Sequence, residues 1–164
     1  MKLLGIIDTD HVNYKKLAMV LEFPRCTFKC NKGHKNPICQ NFHLASCSAN
    51  DYNIDDIIKM YEDNPVVEAL VFQGLEPFDS FIDVLKLVKT FRKKFDDDIV
   101  IYTGYTVNES LEYIKALQAY TNIIVKFGRY KPNHEPHFDE VLGVNLVSDN
   151  QFAMNLDDIN TSEN

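Results

Sequence analysis

Four short apolar runs alternate with segments of helical periodicity, and this alternation constrains the fold of the chain more than any other feature. The runs are 16–23 (KLAMVLEF), 66–72 (VVEALVF), 99–102 (IVIY) and 123–127 (IIVKF). The run from Val66 to Phe72 lacks in–out alternation, as expected of a strand buried on both faces. Between the runs, Ile54, Ile57, Ile58 and Tyr61 recur at helical spacing behind Asn53, which is placed as an N-cap. Phe78, Phe81, Ile82, Leu85, Val88, Phe91 and Phe95 form the clearest amphipathic helix. Leu111, Ile114 and Leu117 follow a capping-box pattern of Thr106 and Glu109. Strand–helix–strand order, met three times, predicts an α/β fold with a parallel sheet and right-handed crossovers. A further apolar run, Val141 to Val147, predicts a fifth strand, and the polar tail, about 157–164, is expected to fray. With 164 residues and no repeat, low-complexity stretch or linker, 1–164 reads as a single domain.

The unusual segments each fall directly after a strand. A loop at 24–50 follows the first, Gln73-Gly74-Leu75-Glu76-Pro77 the second, and Thr103-Gly104-Tyr105 the third. In parallel α/β sheets the carboxyl ends of the strands form the active-site edge, so these segments converge on one rim. That convergence points to an enzyme. The 24–50 loop holds all four cysteines, Cys26, Cys30, Cys39 and Cys47, together with His34 and His43.

Composition narrows the partners. The net charge of −7 argues against a nucleic-acid binder, whose phosphate contacts need clustered Lys and Arg. The start, MKLLGIIDTDH, has too short an apolar patch for a signal peptide or a membrane span, so a cytoplasmic protein with no membrane association is expected. In a reducing compartment, clustered cysteines suggest metal before disulfides. Two sites are compatible with the spacing. Three thiolates on one loop can hold a 4Fe-4S cluster with one iron left open. Alternatively, Cys26, Cys30, His34 and Cys39 make a closed tetrahedral zinc site.

Four segments together resemble the radical S-adenosyl-L-methionine (SAM) superfamily, in particular its small activating enzymes of anaerobic ribonucleoside-triphosphate reductase. Cys26-Thr27-Phe28-Lys29-Cys30 and Cys39-Gln40-Asn41 resemble the two halves of the family's C-x3-C-x2-C-x-Asn pattern. Gln73 to Pro77 resembles its Gly-Gly-Glu-Pro segment, Tyr102 to Tyr105 its Tyr-Thr-Gly-Tyr, and Ser148 to Gln151 its late Ser-Asn-Gln. The chain departs from the family in three places. Eight residues separate Cys30 from Cys39 where relatives have two, Leu75 replaces a glycine, and Lys126-Phe127-Gly128 lacks an acidic residue before the glycine.

The resemblance implies a partial parallel (β/α) barrel of the radical SAM type, in a minimal version with about five to six strands. It implies a 4Fe-4S cluster on Cys26, Cys30 and Cys39, with Cys47 the rival for the third place, and SAM chelating the open iron. Gly74 to Pro77 would receive the methionyl amine through backbone carbonyls and the Glu76 carboxylate, with Gln73 also in the cofactor site. Phe28 and Ile38 would lie against the adenine or shield the cluster, and Asn41, Tyr102 and Thr103 would complete the cofactor site. The implied reaction is reductive cleavage of SAM to a 5′-deoxyadenosyl radical, which generates a glycyl radical on a partner, anaerobic ribonucleotide reductase. An electron donor such as flavodoxin would supply the reductant. Radical chemistry on a small molecule or peptide is the first alternative, and a non-catalytic zinc or iron–sulfur docking module the second.

Overall fold

A computed structural model describes residues 1–159, and the last part of the expected frayed tail, 160–164, lies outside the described residues. In chain order the strands are β1 (Lys2–Leu3), β2 (Gly5–Asp10), β3 (Ala18–Phe23), β4 (Asn50–Asp51), β5 (Ala69–Gly74), β6 (Asp98–Tyr102), β7 (Ile123–Phe127), β8 (His137–Asp139), β9 (Val144–Leu146) and β10 (Phe152–Asn155). The helices are α1 (Ile54–Glu62), α2 (Phe81–Phe91) and α3 (Leu111–Leu117). Six strands form the central sheet in the order β10–β7–β6–β5–β3–β2. The inner four, β3, β5, β6 and β7, run parallel, and the edge strands β2 and β10 are antiparallel to their neighbours. No described helix is long and apolar enough to cross a membrane.

The strands alternate between two apolar faces. Met19, Leu21 and Phe23, Leu70 and Phe72, Ile99 and Ile101, and Ile123, Val125 and Phe127 share one core with all three helices. Buried Ile57, Ile58 and Tyr61 of α1, Val84, Leu87, Val88 and Phe91 of α2, and Ile114 and Leu117 of α3 face it. Smaller side chains, Ala18, Val20, Ala69, Val71 and Val100, occupy the opposite face with Ile124, under Tyr14, Leu142 and Leu146. Helices on one face and small residues on the other are what a partial α/β barrel requires, since its inner wall has less room.

Local signals set the helix ends. Asn53 caps α1 by accepting the Asp55 N–H at 3.0 Å. Thr106 and Glu109 bond reciprocally ahead of α3, as a capping box does. The helix expected from Phe78 to Phe95 is shorter. Pro77–Ser80 is a 3-10 turn, and α2 proper covers only Phe81–Phe91.

Val141 to Val147 does not supply a strand of the main sheet. Only Val144–Leu146 is extended, and it pairs with β8 in a separate hairpin. Asp139 imposes this by accepting the Leu142 N–H at 2.9 Å and turning the chain. The sheet is closed instead by β10, and opened by β2, neither of which the apolar pattern singles out. Leu156–Asp158 form a 3-10 turn in which Leu156 is fully buried.

Candidate iron–sulfur site

The parallel register stacks the inner-face residues in layers. Val20, Val71, Val100 and Ile124 make an apolar layer. One step toward the carboxyl ends, Glu22 is level with Gln73 and Tyr102 with Lys126. These four polar residues floor a cleft of about 500 Å³ at the strand exits. Cys26, Cys30 and Cys39 line the same cleft, as do Asn41, Gly74, Glu76, Thr103 and Gln151.

The cysteine loop is built from backbone bonds to its neighbours. Beyond Phe23, the Glu76 N–H donates to the Arg25 carbonyl at 2.6 Å and Leu75 N–H to the Phe23 carbonyl at 2.9 Å. Thr27 N–H donates to Asp79 at 2.7 Å, and Asn41 Nδ2 to the Gly74 carbonyl at 2.6 Å. Cys26 Sγ accepts the Phe28 N–H at 3.1 Å, with Phe28 in the left-handed region at φ 50°. The long segment between Cys30 and Cys39 is a closed excursion. Asn31 Oδ1 accepts the N–H of Ile38 at 2.9 Å and of Cys39 at 3.1 Å, returning Cys39 to the side of Cys30. The eight-residue segment thereby leaves Cys30 and Cys39 on the same cleft.

Burial pushes the Cys26 thiol up to about 12, with the neighbouring carboxylates of Glu76 and Asp79 adding to it. The Cys30 thiol is pushed up to about 11, by burial first and then by Cys39. Cys47 is exposed, does not line the cleft, and its sulfur lies 3.9 Å from the His43 carbonyl. His34 is also exposed and outside the cleft, while His43 lines it. Among the described residues no three His, Cys, Asp or Glu side chains are grouped as ligands of one metal ion. A four-iron cube spreads its thiolates wider than a single ion does, and three thiols of one loop on one cleft wall suit it.

Gly74, at the end of β5, has φ 91°, and a Cβ there would sit 2.8 Å from the Phe23 nitrogen. Leu75 has no positive φ, so its side chain is accommodated, and it lines the cleft. Glu76 is 4 % exposed. Its Oε1 accepts Thr103 Oγ1 at 2.7 Å and Phe78 N–H at 3.2 Å, and Oε2 accepts Gly104 N–H at 2.8 Å. Burial raises its pKa to about 6, opposed by these three bonds. Glu76 thus locks the exit of β5 to that of β6. Pro77 is buried at the start of the following turn, and Tyr102 donates its hydroxyl to the Asn13 carbonyl at 2.5 Å. Phe28 and Ile38 are half-buried and do not line the cleft; Phe28 lies edge-on to Phe42, with ring centroids 5.3 Å apart.

Lys126 and Gln151 are among the cleft residues outside the cofactor set that the sequence points to. Lys126 is 6 % exposed, with its ammonium on the Gly128 carbonyl at 2.9 Å and no carboxylate in ion-pair range among the described residues. Burial lowers its pKa to about 8, with Glu76 acting the other way. Gln151 is 4 % exposed and donates Nε2 to the same carbonyl at 3.2 Å, leaving its Oε1 buried without a partner. Asn150 donates to the Arg129 carbonyl, so the Ser148–Gln151 turn clasps the segment after β7. The signal for Lys126 lies in the sequence: Glu22, Gln73, Tyr102 and Lys126 each stand at the polar end of an apolar run.

A partial barrel whose strand exits gather a three-cysteine loop and a polar floor defines an iron–sulfur scaffold. The chain belongs to the 4Fe-4S single cluster domain family, whose model matches residues 17–150. No curated protein and no solved structure matches it. The match runs from the start of β3 to the Asn150 turn, and so takes in the parallel strands, the cysteine loop and the cleft.

Proposed function

We propose that this chain is a compact radical SAM activating enzyme that generates a glycyl radical on a partner such as anaerobic ribonucleotide reductase. One observation carries the reading: Cys26, Cys30 and Cys39 share a single cleft with Gly74, Leu75 and Glu76, and Asn41 ties the two segments together. Cys26, Cys30 and Cys39 would hold three corners of the cluster, leaving the fourth iron toward the cleft. When bound, the cluster and SAM supply the chemistry, a one-electron cleavage that yields methionine and a 5′-deoxyadenosyl radical.

The chain's own residues bind and shield. Backbone carbonyls of Gly74 to Pro77 would receive the methionyl ammonium, with the Glu76 carboxylate held beside them by Thr103, Phe78 and Gly104. The Phe28 amide on the Cys26 sulfur would stabilise its thiolate, and Phe28 packs edge-on against Phe42. Tyr102 and Thr103 fix the rim opposite.

Anaerobic reconstitution with iron and sulfide, followed by a dithionite-driven assay for 5′-deoxyadenosine, tests the proposal. A brown protein that makes the nucleoside, with Cys26→Ala abolishing both colour and product, supports it. A colourless protein with stoichiometric zinc, indifferent to SAM, refutes it.

A second reading, radical chemistry on a small molecule or peptide, is favoured by the buried Lys126 ammonium and the unpartnered Gln151 Oε1. A small anionic substrate with a hydrogen-bond donor satisfies both. This reading gains if purified protein consumes SAM productively with no protein partner present.

A further inference from the structure

The cluster loop carries a charge opposite to that of the rest of the chain. Between Phe23 and Asn50 lie four of the seventeen Lys and Arg residues and none of the twenty-four Asp and Glu. All four, Arg25, Lys29, Lys32 and Lys35, are exposed. Lys29 lies 3.8 Å from Glu109 and is 4.4 Å above the Tyr105 ring, and Arg25 shares a surface hollow with Asp79 and Asp83. Lys32 and Lys35 have no carboxylate partner among the described residues. Both sit on the excursion between Cys30 and Cys39 that Asn31 closes, and neither lines the cleft. Phe42, 42 % exposed on the same loop, adds an apolar anchor.

Resting on the cluster assignment above, we infer that this loop is the docking face for a one-electron donor protein whose redox group is ringed by carboxylates. The substrate reaches the reaction through the cleft, which Lys32 and Lys35 do not line. Electron transfer weakens steeply with distance, so a donor must seat on the outer surface of the loop that holds the thiols. One electron leaves the donor and enters the cluster; no bond forms or breaks, and no proton crosses the interface. A small cationic patch on an acidic protein selects a partner with a local acidic face. A nucleic acid, with phosphates extending past the patch, meets the repulsion of a chain whose total charge is −7.

The test follows reduction of the reconstituted cluster under two reductants: reduced flavodoxin, an acidic protein, and photoreduced 5-deazariboflavin, a small neutral one. The double variant Lys32→Glu/Lys35→Glu is expected to slow reduction by flavodoxin about tenfold at low ionic strength, with the gap closing in high salt. Lys32→Gln/Lys35→Gln, which keeps the loop free of new charge, is expected to fall between. Reduction by deazariboflavin is expected to be equal in all three. Equal flavodoxin rates in wild type and both variants at low salt overturn the proposal. So does tight, lysine-dependent binding of a single-stranded oligonucleotide alongside flavodoxin rates that the lysines do not affect. If the charge-reversed protein cannot be reduced even by deazariboflavin, the neutral variant decides. A wild-type protein without a reducible cluster overturns the cluster assignment itself, and the docking face with it.

Discussion

Lys126 shows at the residue scale how a site can cost stability. Its ammonium is buried on a carbonyl with no ion-pair partner among the described residues, and burial lowers its pKa to about 8. A lysine that binds its proton less tightly folded than unfolded destabilises the fold fully below about pH 8. The penalty fades as pH rises from there toward the ordinary lysine value near 10.5. Lys126→Met is therefore expected to stabilise the metal-free protein by a few kcal/mol, order of magnitude, at pH 7. The difference should shrink toward zero by about pH 10.5 in urea titrations across that range. The Gly128 carbonyl keeps a donor in Gln151, so the substitution orphans no acceptor. A difference constant with pH contradicts the buried-charge account. Gly74 is the second such residue, because both its φ and the Phe23 backbone exclude a side chain. Gly74→Ala is expected to cost about 1–3 kcal/mol in the same titration. Neither role is fully legible in sequence. Gln73 to Pro77 announces itself by composition, but which face Lys126 occupies depends on strand register.

At the element scale, the cysteine loop depends on a few side-chain staples rather than on regular structure. Asn31 gathers the Ile38 and Cys39 amides, and its carboxamide is the reason an eight-residue excursion ends beside Cys30. Asn31→Ala is expected to lower the iron retained per chain after desalting, with little change in the melting temperature of the metal-free protein. Full iron retention counts against the staple. The inner strands, the Asn53 cap and the Thr106–Glu109 box were readable because they rest on local periodicity and capping chemistry. The edge strands were not. β2 is interrupted by Asp8 and Asp10 and half exposed, and β10 has only four residues, so pairing rather than pattern defines both. The 141–147 run failed as a sheet strand because the Asp139 turn commits it to a hairpin.

For the whole molecule, the core and the site are separate structures. The two apolar clusters contain none of the four cysteines, and the loop joins the sheet mainly through bonds to Glu76, Gly74 and Asp79. Stripping iron with a chelator is therefore expected to leave the far-ultraviolet circular dichroism and the cooperative melt in place, while residues 24–50 become the preferred site of proteolysis. Global unfolding on metal removal would instead mark a module folded by its metal.

Electron paramagnetic resonance of the reconstituted, dithionite-reduced protein, recorded before and after adding SAM, reaches the central claim most directly. Under the proposed function a reduced 4Fe-4S signal whose g-values shift on addition is expected, since an iron without a cysteine ligand would be open to the cofactor. A signal indifferent to SAM, or one that survives Cys39→Ala unchanged, contradicts the account.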